Sequence, residues 1–167
     1  MLFQQSLDIG NYWEAFIANR LLASRCPIWY PRQTKKECRG NYRENQVDLL
    51  TFVNGVWQAL EVKSRSERFD SIQDFPYPLV SIGSVEHWDA INFPVLAVIV
   101  VSQITRNWGW VDYHETRQFW QPRQLRDLAY CVPRSLFRPP SQLVHRLSIQ
   151  VQFLPELFEH QSRAGQG

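Results

Sequence analysis

The chain has 167 residues, 44% of them hydrophobic and 20% charged, and a formal net charge of +2. That length suits one domain with a proper core, and that balance describes a soluble globular protein; no apolar run approaches the ~18 residues that a membrane-spanning helix needs. Three cysteines, Cys26, Cys38 and Cys131, form no close pair and argue against a disulfide framework or a zinc knuckle. The N-terminal stretch lacks the basic start and apolar core of a secretory signal, so a cytoplasmic address is expected.

Residues 11–25 carry Trp13, Phe16, Ile17, Ala18 and Leu21 at helical spacing and predict an amphipathic helix. Glu14 shares a side with Ile17, Ala18 and Leu21. Asn11 followed three residues later by Glu14 is also a capping-box pattern, so Glu14 has a structural reading beside any functional one. Pro27 to Pro31 predicts a short strand whose prolines suit an edge. Residues 33–45 are polar and read as a loop with a Gly40-Asn41 turn; Lys35, Lys36, Arg39 and Arg43 lie in it.

The next stretch organises the chain. Two apolar runs flank Asn54-Gly55, a dipeptide that favours a two-residue turn with positive φ at both positions. Closing the turn there sets Val53 opposite Val56, Phe52 opposite Trp57, Leu50 opposite Ala59 and Asp48 opposite Glu61. Glu61 and Lys63 then share one face of their strand, with Val62 on the other. Like charges directly opposite in a sheet are destabilising by roughly 0.2–1 kcal/mol. A hard divalent cation held by the two carboxylates would offset that cost, with Lys63 supplying a fixed positive charge beside it.

Ser64 to Pro78 predicts a connecting segment in which Arg65 and Arg68 are placed to hold phosphate. Leu79 to Ile82 predicts a short extra strand, and Ser84 the N-cap of a helix from Val85 to Ile91. Pro94 to Val101 is a continuous apolar, β-branched run that fits a strand buried on both faces in the middle of the sheet. Thr105-Arg106-Asn107 predicts a turn and Trp108 to Tyr113 a strand. Pro122 to Tyr130 predicts a helix with Pro122 in its first turn. The alternation from Leu147 to Phe153 predicts a half-buried strand, and residues 161–167 a disordered tail.

The Asp48, Glu61 and Lys63 pattern, an Asp followed about a dozen residues later by Glu-x-Lys on the next strand, resembles the PD-(D/E)XK nuclease superfamily. The proline of that motif is replaced by Val47. The resemblance implies an α/β fold, with a restriction-endonuclease-like α-β-β-β-α-β core, a central mixed sheet and flanking helices, in a single domain over residues 1–160. It also implies Mg²⁺-dependent cleavage of DNA, with Mn²⁺ able to substitute. Asp48 and Glu61 would then be metal ligands and Lys63 would position the attacking water. Glu14 would occupy the place of an additional acid on the helix before the sheet.

Charge distribution is compatible with that expectation. Between Arg20 and Arg68 there are ten basic residues against five acidic ones, and a basic concentration around the candidate site suits arriving phosphates. Lys35, Lys36, Arg39, Arg43, Arg65, Arg68 and Arg106 are the candidate DNA contacts. Cutting both strands of a duplex needs two active sites, so a homodimer or larger homo-oligomer is expected. The alternative is a non-catalytic DNA-binding or protein-interaction module on a nuclease fold. The histidines, His87, His114, His145 and His160, are scattered and read as surface or structural; a His114–Asp112 pair sharing a strand face is a minor candidate for base chemistry. Trp57 and Trp110 read as core; Trp108 is the tryptophan best placed to meet DNA, with the structural reading favoured there too.

Overall fold

The computed structural model describes residues 3–30 and 47–152. The predicted loop at 33–45 falls outside them, as do Lys35, Lys36, Arg39, Arg43 and the tail at 161–167. The protein is α/β, built on a mixed five-stranded sheet, a second three-stranded sheet and helices.

Helix α1, Phe3–Ala23, leads into the edge strand β1, Ile28–Trp29. Strands β2, Leu49–Val53, and β3, Val56–Arg65, form the predicted hairpin. Its turn has Asn54 at φ 53° and Gly55 at φ 77°, the left-handed pair that the Asn-Gly dipeptide favours. The register pairs Val53 with Val56, Phe52 with Trp57 and Leu50 with Ala59, as the sequence predicts. The ladder ends at Leu49 opposite Leu60, one step before Asp48. Strand β4, Leu79–Ser84, follows, then α2, Val85–Ala90, capped by Ser84. Strand β5, Val95–Ser102, is buried along its whole length and runs parallel to β3; β6, Trp108–Asp112, runs antiparallel to β5. The order in the large sheet is β1-β2-β3-β5-β6.

Both faces of this sheet are covered, which explains why β5 reads as an unbroken apolar run. On one face Leu60, Val62, Ile99 and Val101 pack with Ile17 and Leu21 of α1 and with Leu143 and Leu147. On the other, Ala59, Val98, Val100 and Val111 pack with Val80 and Ile82 of β4, Trp88 of α2 and Val132. Glu61 and Lys63 share the strand parity of Ala59, so they emerge on this second face.

Four expectations are corrected. The first helix begins at Phe3, not at residue 11, so Asn11 is interior to α1 and caps nothing. The predicted helix from Pro122 to Tyr130 is instead a hairpin of β7, Gln121–Gln124, and β8, Leu128–Pro133. Ala129 and Cys131 are buried alternately with Leu128 and Tyr130, and Pro122 is tolerated because β7 is the edge of the sheet β4-β8-β7. The predicted strand at Leu147 to Phe153 is helical as far as Gln152, as part of α4, Pro140–Gln152, and Phe153 lies outside the described residues. Pro140 opens that helix, and Leu143 and Leu147, four apart, bury the same face. Finally, His114 lies in the short helix α3, Tyr113–Thr116, rather than beside Asp112 on a strand. Asp112 instead caps α3 through the Glu115 N–H and pairs with Arg146.

Candidate active site

Four side chains from three parts of the chain meet beside the point where the β2–β3 ladder ends. Asp48 sits just before β2, and its Oδ2 accepts a hydrogen bond from the Val62 N–H at 2.8 Å. Glu61, in the middle of β3, is fully buried. Lys63 extends from the same strand: its Nζ lies 3.1 Å from Glu61 Oε2 and 3.8 Å from Asp48 Oδ2. Glu14, from α1, comes close enough to the group for the Asp48 charge to act on its carboxyl. Beside Glu61 the pairing of β3 with β5 is irregular, since Ala59 faces Val95 but Leu60 faces Ala97. Such breaks in a ladder re-aim nearby side chains.

Two further features position Lys63. Gly83 in β4 has φ +127°, and a Cβ there would stand 3.2 Å from Trp88 Nε1 and 3.7 Å from Lys63 Cε. The missing side chain therefore makes room for the lysine stem and the indole. The Lys63 ammonium lies 5.9 Å from the Trp88 ring centroid, a cation–π distance. Trp88 is itself fixed by donating its indole N–H to the Ile82 carbonyl at 3.0 Å.

The electrostatics are those of acids crowded round one cation. Burial and the neighbouring Asp48 charge push Glu14 up to about 8. Burial and the Glu61 charge push Asp48 up to about 6. Burial would raise Glu61 too, but the Lys63 ammonium and the His87 hydrogen bond outweigh it and hold that carboxyl down at about 2. Burial alone would lower Lys63; the Glu61 and Asp48 charges raise it above its ordinary value instead. At neutral pH Glu61 and Lys63 are thus charged, while Glu14 and Asp48 compete over a proton.

Among the described residues no three His, Cys, Asp or Glu side chains form a ready-made metal cage. The donor chemistry nevertheless suits a hard divalent cation. Among the described residues, Glu61 Oε1 is buried without a hydrogen-bond partner, and three carboxyl groups share one lysine. Oxygen ligands from Glu61, Asp48 and Glu14 are the kind Mg²⁺ and Mn²⁺ take.

The remaining candidates divide. Arg65 is committed to main-chain carbonyls, donating to Ser81 and Ser64. Arg68 and Arg106 are exposed. Trp108 is 9% exposed and belongs to the core. Trp110 is buried as expected, but Trp57 is not core: it stands 46% exposed beside Trp29 and Phe52. His87, expected as a surface or structural residue, places its Nε2 3.3 Å from Glu61 Oε2. Its signal was indirect: the Ser84 cap fixes the first turn of α2 and hence where residue 87 points.

No protein-family model matches the chain, and no curated protein matches it. No described helix is long and apolar enough to cross a membrane.

Proposed function

We propose that the protein is a metal-dependent deoxyribonuclease of the PD-(D/E)XK kind, an endonuclease using Mg²⁺ or Mn²⁺ on double-stranded or branched DNA. The observation that carries this reading is the convergence of Asp48 and Glu61 on one ammonium, that of Lys63, at 3.8 and 3.1 Å. The order α1-β1-β2-β3, then α2 and β5, with β4 inserted, also supports it, being the order expected of a restriction-endonuclease-like core.

Glu61, Asp48 and Glu14 would hold the cation. When bound, the cation supplies Lewis acidity, lowering the pKa of water and neutralising charge on the scissile phosphate. Lys63 holds its proton throughout and presents a fixed positive charge to the nucleophile and to the phosphorane-like charge that develops. Arg68 and Arg106, with Lys35, Lys36, Arg39 and Arg43, would meet the DNA backbone. The protein would act on duplex DNA as a homodimer or larger homo-oligomer.

The test is incubation of supercoiled plasmid and of a four-way junction with the protein in Mg²⁺, Mn²⁺ or EDTA. Metal-dependent nicking or cutting, absent from Asp48→Ala and Glu61→Ala, is the expected result. Tight DNA binding with no cleavage under either metal would overturn the enzyme in favour of a non-catalytic DNA-binding module.

A further inference from the structure

The two oxygens of Glu61 are unlike each other. Oε2 accepts from Lys63 Nζ at 3.1 Å and lies 3.3 Å from His87 Nε2, whereas Oε1 is buried with no hydrogen-bond partner among the described residues. Leaving a buried oxygen unsatisfied is costly, the more so when it is charged. A carboxylate rotating freely would relieve that cost by sharing its partners between both oxygens. Two donors on one oxygen forbid the sharing.

We propose that His87 is a positioning residue for cation binding. Together with Lys63 it pins Oε2, and so holds Oε1 as the one Glu61 oxygen presented to a divalent ion. The inference rests on the nuclease reading above and deepens it: the site would have a fifth member, on α2, that touches the ligand residue rather than the cation.

The fold sets the imidazole from several directions. The His87 N–H donates to Ser84 Oγ at 3.2 Å, which places residue 87 in the capped first turn of α2. Its ring meets Trp88 edge-on, with centroids 5.3 Å apart and planes at 79°. Trp88 is buried and anchored to the Ile82 carbonyl. The strand β4 thus carries the cap, the glycine that admits Lys63 and the carbonyl that fixes Trp88. The role needs only an Nε2–H, present both in that neutral tautomer and in the imidazolium, so it does not depend on the charge of the ring. Outer partners of metal ligands commonly contribute about 10–100-fold to metal affinity.

The experiment is calorimetric titration of the 167-residue chain with Mn²⁺ alone, no DNA present, on wild type, His87→Ala, His87→Gln and His87→Asn. Far-UV circular dichroism and thermal melting serve as the check on folding. Gln carries an amide N–H to about the reach of Nε2; Asn stops short of it. The expected result is a 10–100-fold weaker Mn²⁺ affinity for His87→Ala and His87→Asn, with recovery to within about threefold in His87→Gln. Because the His87 side chain is 38% exposed, the fold should tolerate all three changes; if Ala does not fold, the Gln–Asn contrast carries the same decision. Wild-type affinity in His87→Asn or His87→Ala, or equal weakness in His87→Gln, would overturn the positioning role alone. Failure of the wild-type protein to bind Mn²⁺ at all would overturn the metal-dependent reading, and this inference with it.

Discussion

Asp48 Oδ2 accepts the Val62 N–H at 2.8 Å, so the aspartate is tied to the strand residue directly after Glu61. One hydrogen bond thereby continues the hairpin beyond its last ladder pair and brings the two acids to the same lysine. Asp48→Asn keeps an oxygen for that N–H but removes the charge that repels Glu61 and Glu14. In the absence of metal it is expected to melt at or above the wild-type temperature while losing cleavage. Asp48→Ala, which forfeits the bond, is expected to lose about 1–3 kcal/mol. Denaturant unfolding in EDTA separates the two; an Asn variant as unstable as the Ala variant would mean the charge, not the bond, holds Asp48.

Raised carboxyl pKa values make stability depend on pH in a defined direction. Glu14 sits at about 8 and Asp48 at about 6 in the folded chain, both above their ordinary values of 4.5 and 3.8. The native state therefore holds protons that the unfolded chain has released. Their contribution is fully present below about pH 4 and is lost as pH rises through about 6 and then about 8. Glu61, lowered to about 2, acts oppositely and loses its contribution in acid. In EDTA the melting temperature should fall between pH 5.5 and 8.5 (~three pH units spanning both raised groups). Glu14→Gln should flatten that slope, and saturating Mn²⁺ should flatten it in wild type. A slope unchanged in Glu14→Gln would place the titration elsewhere.

Among the described residues, Lys63 is the single ammonium beside three carboxyl groups. Replacing it with Met leaves buried Glu61 with His87 as its remaining donor. Breaking a buried pair by removing one partner costs ~3–5 kcal/mol; since the lysine side chain is 20% exposed, about 2–3 kcal/mol is expected. Cleavage should fall by about 10²–10³-fold or more, the loss of a charge aimed at the reacting phosphate. Saturating Mn²⁺ should restore much of the stability and none of the activity. Thermal melting with and without metal, beside the plasmid assay, reads both effects.

Gly83 tests whether Lys63 is positioned by β4. A methyl group at φ +127° is strained and would press on Trp88 Nε1 at 3.2 Å. Gly83→Ala is expected to cost about 1–3 kcal/mol and to lower the cleavage rate at saturating DNA, with DNA affinity nearly unchanged. An equal fall in DNA affinity would contradict a role confined to the lysine. A variant of wild-type stability and rate would show that β4 yields without consequence.

The hairpin was legible residue by residue because its determinants are local. Asn54 and Gly55 specify the turn, the turn specifies the register, and period-2 alternation then assigns Glu61 and Lys63 to one face. Segments with equivocal local signals were misread. Leu147 to Phe153 alternates as a strand would, yet Leu143 and Leu147 also fit a helical face, and packing under the large sheet selects the helix. Pro122 suits the first turn of a helix or an edge strand equally, and pairing with β8 decides between them. A separate three-stranded sheet was not foreseen, since partner choice between strands depends on contacts far apart in sequence.

By itself, then, the sequence determined the turn, the register and the shared face of the Glu-x-Lys pair, because these follow from backbone geometry over a few neighbouring residues. Only the tertiary structure decided that Glu14 reaches Asp48, that His87 reaches Glu61, that Gly83 makes room for Lys63 and that Arg65 is bound to the carbonyls of Ser81 and Ser64. Those contacts join elements whose approach is set by burying two apolar clusters on opposite faces of one sheet. Burial is non-directional and collective, so no short stretch of sequence encodes where it brings a polar side chain to rest.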